Sequence, residues 1–204
     1  VLPGATVRVD LPLPGRHSVM NALAAAACAC ACGVAAATIA EGLAAARPVA
    51  GRQVAHELAD GVMLIDDSYN ANPGSLAAAI DTLAASGDAA WLVLGDMHEL
   101  GPGGEAMHAD AGRRAKDARI GRLYTLGTLS AAAAAAFGPG ARGFESHDAL
   151  SDALLADLRA RTGGEAGRVR ILVKGSRGSA MDRVVARLLA AAKPTAGEGA
   201  AHVA

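Results

Sequence analysis

The densest polar cluster in the chain is Asp66-Asp67-Ser68-Tyr69-Asn70-Ala71-Asn72-Pro73, placed directly after the apolar run Val62 to Ile65. Short carboxylate and amide side chains at a strand end can accept from ribose hydroxyls or hold the waters of a bound cation. The same residues also suit an Asx turn and a helix cap before Pro73. Two adjacent aspartates are costly unless a cation or hydrogen-bond donors stand beside them, which tilts the reading toward a site. A second cluster, Lys174-Gly175-Ser176-Arg177-Gly178-Ser179, follows the apolar run Val169 to Val173. Glycines, hydroxyls, two cations and backbone N–H groups converge there at the start of a helix, where the dipole favours an anion. The lysine precedes the glycines, so this is not the G-x-x-x-x-G-K-[ST] phosphate loop, and the plain alternative is a solvated turn.

Three weaker signals accompany these. His17 and Asn21, four apart at the start of a helical stretch, share a face and could meet a base or a phosphate. Arg52 follows a glycine in a linker and could reach a nucleotide, although a lone linker arginine is commonly solvated. His98 and Glu99, in Gly95-Asp96-Met97-His98-Glu99-Leu100-Gly101, could act as acid or base or be plain surface.

The elements that position these clusters are legible from the pattern. Short apolar runs at Val62–Ile65, Trp91–Leu94, Arg122–Leu126, Ala141–Phe144 and Val169–Val173 alternate with helical stretches near 74–85, 105–117, after Thr128, 148–161 and 180–191. That alternation predicts a doubly wound, Rossmann-like α/β domain with a mostly parallel sheet, whose ligands sit beyond the carboxyl ends of the strands. Before it, helical density from Asn21 to Cys32 and from Ala35 to Ala46, separated by Gly33, predicts a helix pair. The first ten residues read as a strand. Pro48 breaks the second helix, which places a boundary near Val49: residues 1–48, then 49–192, then a tail of Ala, Gly and Pro at 193–204.

Composition narrows the function classes. Aromatic residues are only 2% of the chain, too few for a base-stacking platform, and 19 Lys and Arg balance 20 Asp and Glu, so a general nucleic-acid binder is not expected. The three cysteines, Cys28, Cys30 and Cys32, fit neither a disulfide framework nor paired zinc-ligand spacing and read as small buried apolar residues. No metal site is assigned. No signal peptide or membrane span is apparent, so a soluble, cytoplasmic, monomeric protein is expected.

Taken in order, Gly15-Arg16-His17-Ser18-Val19-Met20-Asn21-Ala22-Leu23, Gly51-Arg52, Asp66 to Pro73, Gly95 to Gly101 and Lys174-Gly175-Ser176-Arg177 resemble the bacterial Mur ligases, and within them the dipeptide-adding type. The resemblance implies a three-domain enzyme of which this chain holds the end of the central ATP-binding domain and the closing carboxyl-terminal domain. It implies ATP and Mg²⁺ as cofactors, with most metal ligands elsewhere, and UDP-N-acetylmuramoyl-tripeptide and D-alanyl-D-alanine as substrates, joined through an acyl phosphate in peptidoglycan precursor synthesis. By motif position, His17 and Asn21 would face adenine, Arg52 the phosphates and Asp67 the ribose. Tyr69, Asn70 and Asn72 would line the nucleotide and substrate face, and Lys174, Ser176 and Arg177 the carboxylate of the incoming dipeptide. Lys174 and Arg52 are the residues implied as catalytic. Neither a phosphate loop nor a UDP-binding domain occurs here, so the chain by itself is expected to be inactive. The alternatives are a folylpolyglutamate-synthase-like ligase and a non-catalytic nucleotide-binding module.

Overall fold

The computed structural model describes residues 6–13, 16–47, 49–161 and 167–192, except the side chains of Arg16 and His17. The tail expected at 193–204 lies outside the described residues. The backbone divides into two compact units, Val1–Val49 and Ala50–Ala204.

The first unit is a helix pair, α1 (Arg16–Ala31) and α2 (Ala36–Ala44). The turn between them closes on the carbonyls of α1: Gly33 N–H donates to Cys30 O and Val34 N–H to Ala29 O. Residues 6–11 form no strand, contrary to the sequence expectation. An extended segment becomes a strand only where a neighbour completes its ladder, and the described residues of this unit offer none. The cysteines also depart from expectation, since Cys28 and Cys32 are exposed and Cys30 is half-buried. A helix with a single helical neighbour covers one stripe of its surface, and Val19, Met20 and Leu23 are left exposed for the same reason.

The second unit is a six-stranded sheet in the order β1-β2-β6-β3-β4-β5. Its strands are β1 (Val54–Glu57), β2 (Val62–Asp67), β3 (Ala89–Gly95), β4 (Arg122–Leu126), β5 (Ala141–Phe144) and β6 (Val169–Lys174). Every neighbouring pair is parallel except β1 with β2. β1 is the strand that sequence reading misses: it is four residues long, half polar, and carries only an alternating half-buried pattern. The central strands β3 and β6 are covered on both faces, and accordingly read as the continuous apolar runs Trp91–Leu94 and Ile171–Val173.

Helices α3 (Pro73–Ala84), α4 (Gly104–Asp117) and α5 (Ser130–Phe137) cover one face of the sheet. Leu76, Ile80, Leu83, Ala115, Ala133 and Phe137 pack there against Leu92, Leu94, Leu123 and Leu172. Helices α6 (His147–Ala160) and α7 (Asp182–Ala192) cover the other, packing Leu150, Leu154, Val184 and Leu188 on Leu64, Trp91, Val93, Tyr124 and Ile171. Each fully buried Leu or Ile contributes about 1.5–3 kcal/mol relative to exposure. The helices are small-residue helices where they must approach closely. A Cβ built on Gly112 of α4 would lie 2.1 Å from the Ala133 carbonyl oxygen of α5, so no larger residue fits that crossing.

On the α6 face, Asp157 gathers three partners from the sheet. Tyr124 Oη donates to it at 2.6 Å, and Arg122 and Arg142 pair with it at 3.0 and 3.1 Å. Burial, then donation to Asp157, pushes the Tyr124 hydroxyl well above its ordinary value of 10.0. Trp91 and Phe144 flank the Tyr124 ring, with centroids 5.9 and 6.4 Å away.

Candidate functional site

The chain leaves β3 outward to β4 and β5 and then returns to insert β6 between β2 and β3. The loops after β2, β6 and β3 therefore meet at one end of the sheet, the position at which doubly wound folds hold ligands. In the parallel register Asp67 of β2 lies opposite Lys174 of β6. Their side chains meet as a buried ion pair, Lys174 Nζ donating to Asp67 Oδ2 at 2.5 Å and to the Asn70 carbonyl at 3.1 Å. The neighbouring carboxylate is satisfied by donors instead: Asp66 Oδ1 accepts from Ser68 Oγ at 2.6 Å and from Ser68 N–H at 3.1 Å. The two adjacent aspartates are thus each answered, one by a cation and one by a buried hydroxyl and its own loop backbone. Ser68, which is buried, has no role of its own in the sequence reading, although its place two residues after Asp66 fits the Asx turn offered there.

Asn72 caps α3. Its Oδ1 accepts from Ser75 N–H at 2.8 Å and Ser75 Oγ accepts from Asn72 N–H at 3.1 Å, with Pro73 at the first helical position. The cap reading of this loop and the polar-site reading therefore coexist: Asn72 terminates the loop while Asp67 and Asn70 anchor Lys174.

Ser176 is buried and joins three loops. Its Oγ accepts from His98 N–H at 2.9 Å and donates to the Ala71 carbonyl at 3.2 Å, and its N–H donates to the Asp96 carbonyl at 3.0 Å. Arg177, next along, is exposed. Its guanidinium lies over the Tyr69 ring, 5.8 Å from the centroid, and the exposed Arg52 lies over the same ring at 4.2 Å. Tyr69 itself is 40% exposed. Arg52 reaches it because Gly51, at φ +74°, turns the chain so that its carbonyl accepts from Tyr69 N–H at 2.9 Å; a Cβ there would meet Tyr69 N at 3.0 Å. Among the described residues neither guanidinium joins an ion pair. Two cations close to one aromatic ring, neither joined to a carboxylate among the described residues, suit a phosphate or carboxylate group.

The structure therefore brings together Arg52, Asp67, Tyr69, Asn70, Asn72, Lys174, Ser176 and Arg177. Asn21 is exposed on α1 in the first unit, and His17 lies in the same helix. His98 is exposed beside Gly178, where a Cβ would come within 2.7 Å of its ring. Sequence reading missed Asp96, whose carboxylate accepts the N–H groups of Leu129 at 3.3 Å and Ser130 at 2.7 Å and so caps α5 from another loop. It also missed the buried His108 in α4. No group of three or more His, Cys, Asp or Glu side chains that could hold a metal ion occurs among the described residues. No helix there is long and apolar enough to cross a membrane.

The family profile described as "Mur ligase, glutamate ligase domain" matches residues 51–177. The chain is 44% identical over 186 residues to UDP-N-acetylmuramoyl-tripeptide–D-alanyl-D-alanine ligase of Escherichia coli strain K12, covering 91% of this chain and 40% of that protein. The crystal structure of MurF from Acinetobacter baumannii superposes with a TM-score of 0.79 at 31% identity, over 89% of this chain and 40% of that one. A Mycobacterium tuberculosis folylpolyglutamate synthase shares the fold, with a TM-score of 0.65 at 21% identity over 91% of this chain. The chain thus spans about 40% of the length of the E. coli relative. With the family profile matched over more than half of its length, the chain belongs to the Mur ligase family.

Proposed function

We propose that this chain works as part of an ATP-dependent ligase that joins D-alanyl-D-alanine to UDP-N-acetylmuramoyl-tripeptide in peptidoglycan precursor synthesis, in the cytoplasm and as a monomer. The observation that carries the reading is the pair of guanidiniums, Arg52 and Arg177, over the exposed Tyr69 ring at the carboxyl end of the sheet. The choice of substrates follows the name of the E. coli relative.

ATP, when bound, supplies the phosphoryl group that activates the tripeptide carboxylate as an acyl phosphate. The residues here fit anionic groups, since Arg52 and Arg177 are exposed cations outside any ion pair among the described residues. Arg52 is assigned to the phosphates and Arg177 to the dipeptide carboxylate, where a planar fork of donors holds two oxygens at once. Tyr69 holds both cations in place. Asp67 is assigned to the ribose through the oxygen that Lys174 leaves free, with Asn70 and Asn72 along the same rim. Lys174 and Ser176 are buried, and their contribution is to hold the loops and to add positive potential where charge develops on the tetrahedral intermediate. The described residues provide no cage for Mg²⁺, so no step is assigned to a metal here.

The test is phosphate release from ATP by the full-length protein encoded by the gene, given UDP-N-acetylmuramoyl-tripeptide with and without D-alanyl-D-alanine. Release that requires both substrates supports the ligase, and Arg177→Ala is then expected to raise KM for the dipeptide about tenfold or more. A folded, ATP-binding full-length protein that releases none would overturn the reading in favour of a non-catalytic nucleotide-binding module. Turnover with a folate and glutamate instead would favour the synthase-like alternative.

A further inference from the structure

His108 lies in α4, away from the residues assigned to ligands, and is fully buried. A buried imidazole is costly unless both nitrogens are used, and here both are. Nδ1 is 2.6 Å from the Gly104 carbonyl, and Nε2 is 2.8 Å from Met97 N. A carbonyl can only accept and a backbone N–H can only donate. The ring is therefore the neutral tautomer with its proton on Nδ1, giving that proton to Gly104 O and taking the Met97 N–H at Nε2.

The segment it grips, Asp96-Met97-His98, is also tied to α5 and to the loop after β6. The Asp96 carboxylate takes the first N–H groups of α5, and the Asp96 carbonyl accepts from Ser176 N–H. His98 N–H donates to Ser176 Oγ, and that hydroxyl in turn donates a hydrogen bond to Ala71 O in the loop after β2. One relay of hydrogen bonds thus runs from α4 through the β3 loop to the β6 loop and on to the β2 loop. An apolar residue at position 108 would fill the space but strand the N–H of Met97, a fully buried residue. One ring nitrogen is thus spent on the first turn of its own helix and the other on the loop after β3.

We infer that His108 is a positioning residue for the candidate site: it fixes the Met97–His98 backbone, which sets Ser176 and with it the Lys174–Ser179 loop that presents Arg177. The inference rests on the ligase reading only for its effect on turnover; the relay itself is a property of this chain.

Two substitutions separate the ring's two bonds. In His108→Gln the side-chain oxygen reaches the Nε2 position and can still accept from Met97 N–H. In His108→Asn the amide reaches only the Nδ1 position, keeping the bond to Gly104 O and losing the loop. In the full-length enzyme the Gln variant is expected to keep KM for D-alanyl-D-alanine within about twofold of wild type, while the Asn variant raises it about tenfold with a smaller change in kcat. In the 204-residue chain, hydrogen exchange should quicken at Met97, His98 and Ser176 in the Asn variant and not in the Gln variant. Ser176→Ala cuts the far end of the relay and should release His98 N–H while Met97 N–H stays protected. Equal effects of Gln and Asn on KM and exchange would overturn the inference, as would wild-type exchange in the Asn variant. If the full-length wild type shows no turnover, the ligase reading fails while the exchange pattern still decides the relay.

Discussion

Replacing Lys174 with methionine removes the cation from a buried pair and leaves Asp67 facing a strand end with no counter-charge. At the 2.5 Å separation of Nζ and Oδ2, two unit charges in an effective dielectric of about 20 attract by roughly 7 kcal/mol. Removing both ions from water costs several kcal/mol each, so the intact pair stabilises the fold by little in net terms. Breaking it is different, because the orphaned charge keeps its desolvation cost and loses its partner. Lys174→Met is therefore expected to cost about 3–5 kcal/mol, and Asp67→Asn a similar amount, while the double variant costs clearly less than the two losses added. The coupling in that cycle should be about 3 kcal/mol. Urea unfolding followed by tryptophan fluorescence is the suited assay, because Trp91 is the chain's single tryptophan and is buried in the second unit's core. The reasoning fails if each single variant costs under about 1 kcal/mol, or if the two losses simply add.

Other outcomes follow from the same contacts. Gly112→Ala should lower stability by about 1–3 kcal/mol or more, seen as a shifted urea midpoint, because its Cβ would press on a backbone oxygen that cannot move without parting α4 from α5. Tyr124 titrates higher in the folded chain than in the unfolded one, so its contribution is fully present below pH 10 and is lost as pH rises beyond it. Stability measured above pH 10 should carry a decline of up to about 1.4 kcal/mol per pH unit from this group, and Tyr124→Phe should remove that part of the slope. Asp157→Ala should cost about 1–3 kcal/mol, mostly by leaving the Tyr124 hydroxyl without its acceptor, and the loss should shrink in the Tyr124→Phe background to what the Arg122 and Arg142 pairs contribute. Asn72→Ala should cost about 1 kcal/mol through loss of the α3 cap, and Asn72→Ser should retain most of it, by thermal unfolding.

Much of the second unit was legible in the chain because parallel strands buried on both faces are written as unbroken apolar runs. Val62–Ile65, Trp91–Leu94 and Val169–Val173 announce β2, β3 and β6, and the polar loops that follow them announce where ligands go. Motif order even marks the family, since Asp66 to Pro73 and Lys174 to Arg177 carry their residue types locally. Helix caps such as Asn72 are equally local, depending only on the next few residues. β1 escaped because a four-residue, half-polar edge strand exists only by pairing with β2. At residues 6–11 the expected strand failed for the converse reason, since the described residues of the first unit offer no ladder to join.

What no local pattern could state is that Asp67 and Lys174, 107 positions apart, are register partners, or that Tyr69 carries both Arg52 and Arg177. Those facts depend on β6 returning between β2 and β3, a choice made by the packing of α6 and α7 on one sheet face and α3, α4 and α5 on the other. His108 shows the same division. Its type and helix are evident in the sequence, yet its role comes from a backbone N–H eleven residues away that the folded loop brings to 2.8 Å. Sequence determines which groups are available and which segments are helix or strand, because those depend on near neighbours. Tertiary structure decides which charges and donors meet, because burial removes the water that would otherwise satisfy them and leaves each one to find its partner in the protein.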